Sequence, residues 1–414
     1  MKQRLWIVLV CAMLAAVLMA GCEDKKNNTA AETVTPTQEI VVTPTEEATP
    51  TPTEVPATPT PTPNPLDEHT LKEVFDGQFL VGMAMPISVI NNPDFKSEIV
   101  GNFNSMTFEN ETKPDALLRR EASQNGLPET YTEPVINLEA LKRSMKFAAD
   151  NGIKVRFHTL LWHEQTPDWF FKKNYSTNGE YVDRETMLKR MESYIRQVMQ
   201  GMEELYPGQI YCYDVVNEAI DPGQGGVNGM RVKSPWYEIV GPDFMEYAFA
   251  YARKYAPEGV DLYYNDYNCY QKTSQILACL KPIKDAGNID GIGMQSHLSI
   301  TNSVESCIRK PAALFTSEGY KVQLTELDIG ITDANGAEDT QARKYRLVFK
   351  KMSEGKADGS INIDCITVWG LYDSISWRRD EKPLLYRMVG TKLVRKKAWY
   401  GAMQDPEIKA IELQ

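Results

Sequence analysis

The chain has 414 residues and a formal net charge of −11; 42% of its residues are hydrophobic and 24% are charged. That is room for a large core and one to three domains. An acidic balance argues against a phosphate backbone as partner, so no nucleic acid is expected.

At the N-terminus, Lys2 and Arg4 precede an apolar stretch over residues 5–20, and Met19-Ala20-Gly21-Cys22 closes it. A basic start followed by such a run reads as a secretory signal. At about 17 residues it is short for a bilayer-spanning helix. The Gly-Cys ending resembles the lipobox of bacterial lipoproteins, with Met19 where Leu is more usual. The resemblance implies a lipidated Cys22 as mature N-terminus. The expected location is the bacterial cell surface, anchored to the membrane, with secretion as the alternative. Residues 23–65 form a Thr/Pro-rich linker. From Glu23 to Glu68 there are nine acidic and two basic residues. Such composition buries too little apolar surface to offset its ordering entropy. Its prolines favour an extended chain of ~3.1 Å per residue, so ~40 residues reach about 100 Å.

Residues 66–414 are globular in composition. Eight short apolar runs follow, at 79–83, 103–108, 154–158, 210–217, 260–265, 291–295, 321–326 and 364–369. Between them lie stretches of helical period, such as 138–149, 187–205 and 340–352. Strands alternating with helices predict a parallel sheet, and eight units predict a closed (β/α)8 barrel in a single catalytic domain. An open doubly wound sheet is the structural alternative, but neither a Gly-x-Gly-x-x-Gly nor a P-loop supports it. Five cysteines fall in this region, Cys212, Cys269, Cys279, Cys307 and Cys365. Their wide spacing lacks any zinc pattern and suggests buried free thiols. No metal and no cofactor is expected.

In such a barrel, strand interiors are expected to be apolar, and polar residues at C-terminal strand ends are candidates for chemistry. Seven consecutive strand ends carry them. The second ends in Glu109-Asn110 with Lys113, the third in His158 and Trp162, the fourth in Asn217-Glu218. The fifth ends in Asn265-Asp266, the sixth in Gln295 and His297, the seventh in Glu326 and Asp328, the eighth in Trp369, followed by Trp377. Each has a bland reading alone: a helix cap, a strand edge, a core histidine. All seven together, opening on one rim, need a common cause. Glycosidic cleavage by a retaining route requires an acid at the leaving oxygen and a nucleophilic carboxylate about 5–5.5 Å away. Glu218 and Glu326 face each other across the barrel mouth, and their environments should split their pKa values. His297 is positioned to bond Glu326, with Asp328 orienting it. Amides and indoles around them suit sugar hydroxyls and pyranose faces.

These residues sit in stretches that resemble glycoside hydrolase family 10, the (β/α)8 xylanases. The matching stretches are Phe103-Asn-Ser-Met-Thr-Phe-Glu-Asn-Glu-Thr-Lys113, His158-Thr-Leu-Leu-Trp-His163, Asp214-Val-Val-Asn-Glu-Ala219, Asn265-Asp-Tyr-Asn268, Gly293-Met-Gln-Ser-His297, Thr325-Glu-Leu-Asp328, Val368-Trp-Gly370 and Ser376-Trp377. They run in family order through the globular part. The resemblance implies an endo-β-1,4-xylanase acting with retention, Glu218 as acid/base and Glu326 as nucleophile. It implies that Glu109, Asn110, Lys113, His158, Trp162, Asn217, Gln295, His297, Trp369 and Trp377 line the glycone side, with Tyr267 a platform on the other. The tryptophan at Trp377 would crowd the C6 group of glucose and favour xylan. The sequence departs from the family at Phe157 (commonly Gly), Glu164 (a small polar residue), Thr112 (Met) and Tyr213 (Trp). Three alternatives remain: a broader β-1,4-glycanase, a catalytically silent carbohydrate-binding lipoprotein, and a solute-binding lipoprotein. The expected partners are xylan or xylo-oligosaccharides and, through Cys22, a membrane; the chain is expected to be a monomer.

Overall fold

The apolar runs become strands of one parallel sheet in the computed structural model, which describes residues 65–90, 92–331 and 335–408. The strands are β1 (Leu80–Met85), β2 (Ser105–Phe108), β3 (Lys154–Trp162), β4 (Ile210–Asn217), β5 (Asp261–Asp266), β6 (Gly291–Met294), β7 (His297–Ser299), β8 (Lys321–Gly330) and β9 (Ile363–Val368). Each of β1 to β5 pairs with the next; β1 also pairs with β9, and β6 bridges β5 and β8, so the sheet closes. β6 and β7 share one position of the ring. Ser296, at φ +65°, interrupts them, and β7 then pairs with β8 at His297↔Asp328. Helices Lys96–Asn102, Lys142–Asp150, Arg184–Leu205, Phe244–Tyr255, Thr273–Asp285, Lys310–Ser317, Ala337–Asp358 and Lys397–Ala402 follow the eight positions in turn. This is a (β/α)8 barrel.

Several elements extend past the stretches expected from periodicity. The helix expected over 187–205 begins at Arg184, because the Asp183 side chain accepts a hydrogen bond from the Thr186 N–H at 2.9 Å and caps it. The one over 340–352 occupies the middle of Ala337–Asp358, since polar end turns escape an apolar pattern. The stretch over 138–149 instead opens with a 3-10 turn, Glu139–Leu141, and the helix proper is Lys142–Asp150. β3 and β8 run four residues beyond expectation, into the polar rim. Pro65, counted with the linker, already belongs to a 3-10 turn, Pro65–Glu68. The signal over 1–22, Cys22 and residues 23–64 lie outside the described residues.

The expectation of an apolar barrel interior is overturned. The apolar strand positions, such as Val155, Phe157 and Val215, are buried in the main hydrophobic cluster. The alternate positions are buried and polar: Ser105, Thr107, Arg156, Asp214, Asn265, Gln323, Thr325 and Thr367. Some satisfy one another across strands, although Thr107 Oγ1, Arg156 Nε and Nη1 and Asp214 Oδ1 are buried without a hydrogen-bond partner. Thr325 Oγ1 donates to Asn265 Oδ1 at 2.6 Å, and Ser105 Oγ and Tyr211 OH lie 3.1 Å apart. Glycines make the space. A Cβ on Gly291 would stand 2.2 Å from the Tyr263 ring, so the ring lies directly on that backbone. The five cysteines are buried and unpaired.

Candidate active site

The C-terminal strand ends open on a cleft of about 590 Å³; of the strand-end candidates, Asn265, Asp266 and Asp328 lie beneath it and the others line it. Glu218 follows the last residue of β4; Glu326 sits within β8, across the ring. Glu218 adopts φ +54°, a left-handed backbone uncommon for a non-glycine residue. An amide chain joins the two carboxylates. Glu218 Oε1 accepts from Gln295 Nε2 at 2.7 Å and from Asn217 Nδ2 at 3.2 Å. Asn265 Nδ2 donates to Asn217 Oδ1 at 2.9 Å and to Glu326 Oε1 at 2.8 Å.

Their electrostatics differ. Burial pushes the Glu218 pKa up to about 7; Asp266 and Glu326 add to the rise, and the Gln295 hydrogen bond only partly opposes it. Burial would raise Glu326 too. There the hydrogen bond from His297 and the nearby positive charges of His297 and Arg156 outweigh burial and hold it below its ordinary value. His297 approaches Glu326 Oε2 through Nε2 at 3.3 Å and Asp328 Oδ2 through Nδ1 at 2.9 Å. Burial alone would strip its proton, but the two carboxylates win and push its pKa up to about 10. His297 is therefore an imidazolium donating to both. Asp328 is fully buried and acts on the cleft through the side chains it holds, His297 first among them. It is a positioning residue, not one that touches substrate.

Around this pair stand polar side chains and flat rings. Lys113 Nζ donates to Asn110 Oδ1 at 3.1 Å and to Gln165 Oε1 at 2.7 Å, and lies 4.9 Å from the Trp162 ring. Glu109 is raised by its burial, against the pull of Lys113. His158 Nδ1 lies 2.8 Å from Asp214 Oδ2, and Arg156 pairs with that same oxygen. Burial holds His158 well below its usual pKa, so it is neutral and donates through Nδ1. Trp369 is buried and meets His158 edge-on, with ring centroids 5.7 Å apart. Trp377 is 61% exposed and packs on His297 at 4.9 Å. Lys272 lies 3.7 Å from the Tyr267 ring.

Several contacts that shape the site carry no signal in the sequence. Asn265 bonds Glu326 directly; its place at a strand end was visible, its partner was not. Arg156 and Asp214 hold His158 from inside the barrel. Arg231 donates to the Glu218 carbonyl and to Tyr267 OH, both at 3.2 Å, from a loop that carries no motif. Arg378 pairs with Asp328 at 2.6 Å.

The profile of glycosyl hydrolase family 10 matches residues 70–405. A bifunctional endo-1,4-beta-xylanase XylA of Ruminococcus flavefaciens is 40% identical over 326 residues, covering 77% of this chain and 32% of that protein. Endo-1,4-beta-xylanase B of Butyrivibrio fibrisolvens is 38% identical over 346 residues, covering 81% and 53%. The chain thus spans between a third and about half the length of these relatives. Among solved structures, the xylanase 10B module pair of Clostridium thermocellum, complexed with xylohexaose, superposes with a TM-score of 0.74 at 35% identity, covering 81% of this chain and 67% of that one.

Proposed function

The chain belongs to glycosyl hydrolase family 10, and from that premise we propose that it is an endo-β-1,4-xylanase working by retaining double displacement. The observation that carries the proposal is the split between the two glutamates, one with a pKa raised to about 7 and the other held below the ordinary carboxylate value. In this reading Glu326 attacks the anomeric carbon, while Glu218 gives its proton to the departing glycosidic oxygen. Glu218, now ionised, takes a proton from water, and that water releases the sugar from Glu326. His297 steadies the charge on Glu326 before attack, and Asp328 fixes the imidazolium. Asn110, Lys113, Asn217 and Gln295 orient sugar hydroxyls, and Trp162, Trp369, Trp377 and Tyr267 offer ring faces.

The test is release of reducing ends from xylan and from carboxymethyl cellulose. Strong release from xylan, with short oligosaccharides as products, is expected. Comparable release from both would replace this reading with a broader β-1,4-glycanase. Folded protein that binds xylan and releases nothing would make it a silent binding protein. The proposal also holds that the chain is exported, lipidated at Cys22 and held at the cell surface as a monomer. What supports export and anchoring is the basic and apolar start and the Gly21-Cys22 ending.

A further inference from the structure

Asp328 is a junction. Its side chain is fully buried, and both of its oxygens are used. Oδ2 accepts from His297 Nδ1 at 2.9 Å and from Trp377 Nε1 at 3.0 Å; Oδ1 accepts from Arg378 Nη1 at 2.6 Å. One carboxylate therefore holds both the partner of Glu326 and the most exposed ring of the cleft. Trp377 is 61% exposed, so packing alone does little to fix it. Its indole N–H has to be held, and the holder has to be rigid.

Arg378 supplies the rigidity. Beyond Asp328, its Nη1 donates to the Leu298 carbonyl at 2.8 Å, and its Nε and Nη2 grip Glu381 at 3.2 and 2.5 Å. The pair lies tight against β8: a Cβ on Gly330 would stand 2.2 Å from Glu381 Oε2 and 2.7 Å from Arg378 Nη2. The Ile331 N–H donates to the Glu381 carbonyl at 2.8 Å, which ties the segment to the end of the strand. The planar guanidinium makes four such bonds here in a fixed fork, whereas an ammonium has three donors on one rotating nitrogen.

We propose that Arg378, clamped by Glu381, is a positioning residue that fixes Trp377 through Asp328 and thereby sets which sugar the cleft accepts. The inference rests on the xylanase reading above and gives Arg378, at the edge of the cleft, a role that runs through Asp328 and Trp377. A loosened clamp frees the indole, and the cost falls on the substrate whose fit depends on that ring.

The experiment compares aryl β-xylobioside and aryl β-cellobioside bearing one leaving group, using the full chain, with melting temperature recorded for every variant. Arg378→Met is expected to lower the xylobioside/cellobioside ratio of kcat/KM by about tenfold, the scale of a lost hydrogen bond to a charged group. Glu381→Gln is expected to lower it less, and Arg378→Lys to fall between. On a Trp377→Ala background Arg378→Met should leave the ratio unchanged, since the two act through one element. If Arg378→Met fails to fold, Glu381→Gln and Arg378→Lys decide. Parallel loss on both substrates with a constant ratio, tracking the melting temperature, would make the clamp merely structural. An equal fall in the ratio with and without Trp377 would also overturn the proposal. A wild-type chain that cleaves neither glycoside sinks the xylanase reading and this inference together; one that cleaves xylobioside while its variants keep the ratio sinks this inference alone.

Discussion

Two glutamates of one intrinsic acidity are driven apart by what surrounds them. Glu218 is pushed up by burial to about 7, whereas Glu326 is held down by His297 and Arg156 despite deeper burial. With Glu218 as the acid, kcat/KM should fall above about pH 7 as it loses its proton. Glu218→Gln should abolish activity on xylan, keep the first step on substrates with good leaving groups, and remove the alkaline limb of the pH profile on those. A surviving alkaline limb would assign the acid elsewhere. The same shift has a stability consequence. Glu218's folded pKa lies above its unfolded value of 4.5, so its contribution is fully present below pH 4.5 and is lost as pH rises through 7. Glu218→Gln should therefore be more stable than wild type at pH 8, on the order of 3 kcal/mol for a shift of this size, with the gap closing by pH 4.5. Urea melts at the two pH values check the sign. The residues of this pair were legible in sequence because they stand at strand ends, and the resemblance implied which is the acid. The groups that split them were not, because Gln295, Asp266, His297 and Arg156 lie far from the pair in sequence and meet it only in the fold.

The barrel strands show where local pattern stops informing. Periodicity locates all eight positions but not the break that divides β6 from β7. Ser296 carries no signal for φ +65°; the break is imposed by the neighbour, since β7 must realign for His297 to oppose Asp328 on β8. The polar inner face escapes pattern reading for a similar reason. Alternating polar residues read as a solvated face, yet here they meet at the centre of a closed sheet. Glycine spacing makes that centre fit. Gly291→Ala would force a methyl against the Tyr263 ring, which cannot swing away easily because its hydroxyl bonds Asp364 Oδ2 at 2.8 Å. The expected loss is about 1–3 kcal/mol of unfolding free energy, the usual cost of overpacking. An unchanged urea midpoint would mean that Tyr263 has room to move.

For the molecule as a whole, the cleft belongs to the barrel. Every side chain in the cleft lies between Glu109 and Arg378. A chain beginning at Leu66 should therefore keep kcat/KM on soluble xylo-oligosaccharides within about twofold of the full chain, judged against the small effects usual for changes remote from a site. A larger loss would assign the preceding residues a part in catalysis. Cys22→Ala in the full chain should release activity from the membrane fraction without changing it; activity that stays membrane-bound would end the anchor proposal. The sequence by itself determined which side chains exist and in what order. Strand and helix periodicity and the strand-end motifs are properties of neighbours along the chain, and so survive without a fold. Tertiary structure alone decided which groups drive the two carboxylates apart, that Asp328 serves His297 and Trp377 together, and that Arg378 holds it. Those depend on burial and on distances between strands far apart in sequence, and such distances come into being only when the sheet closes.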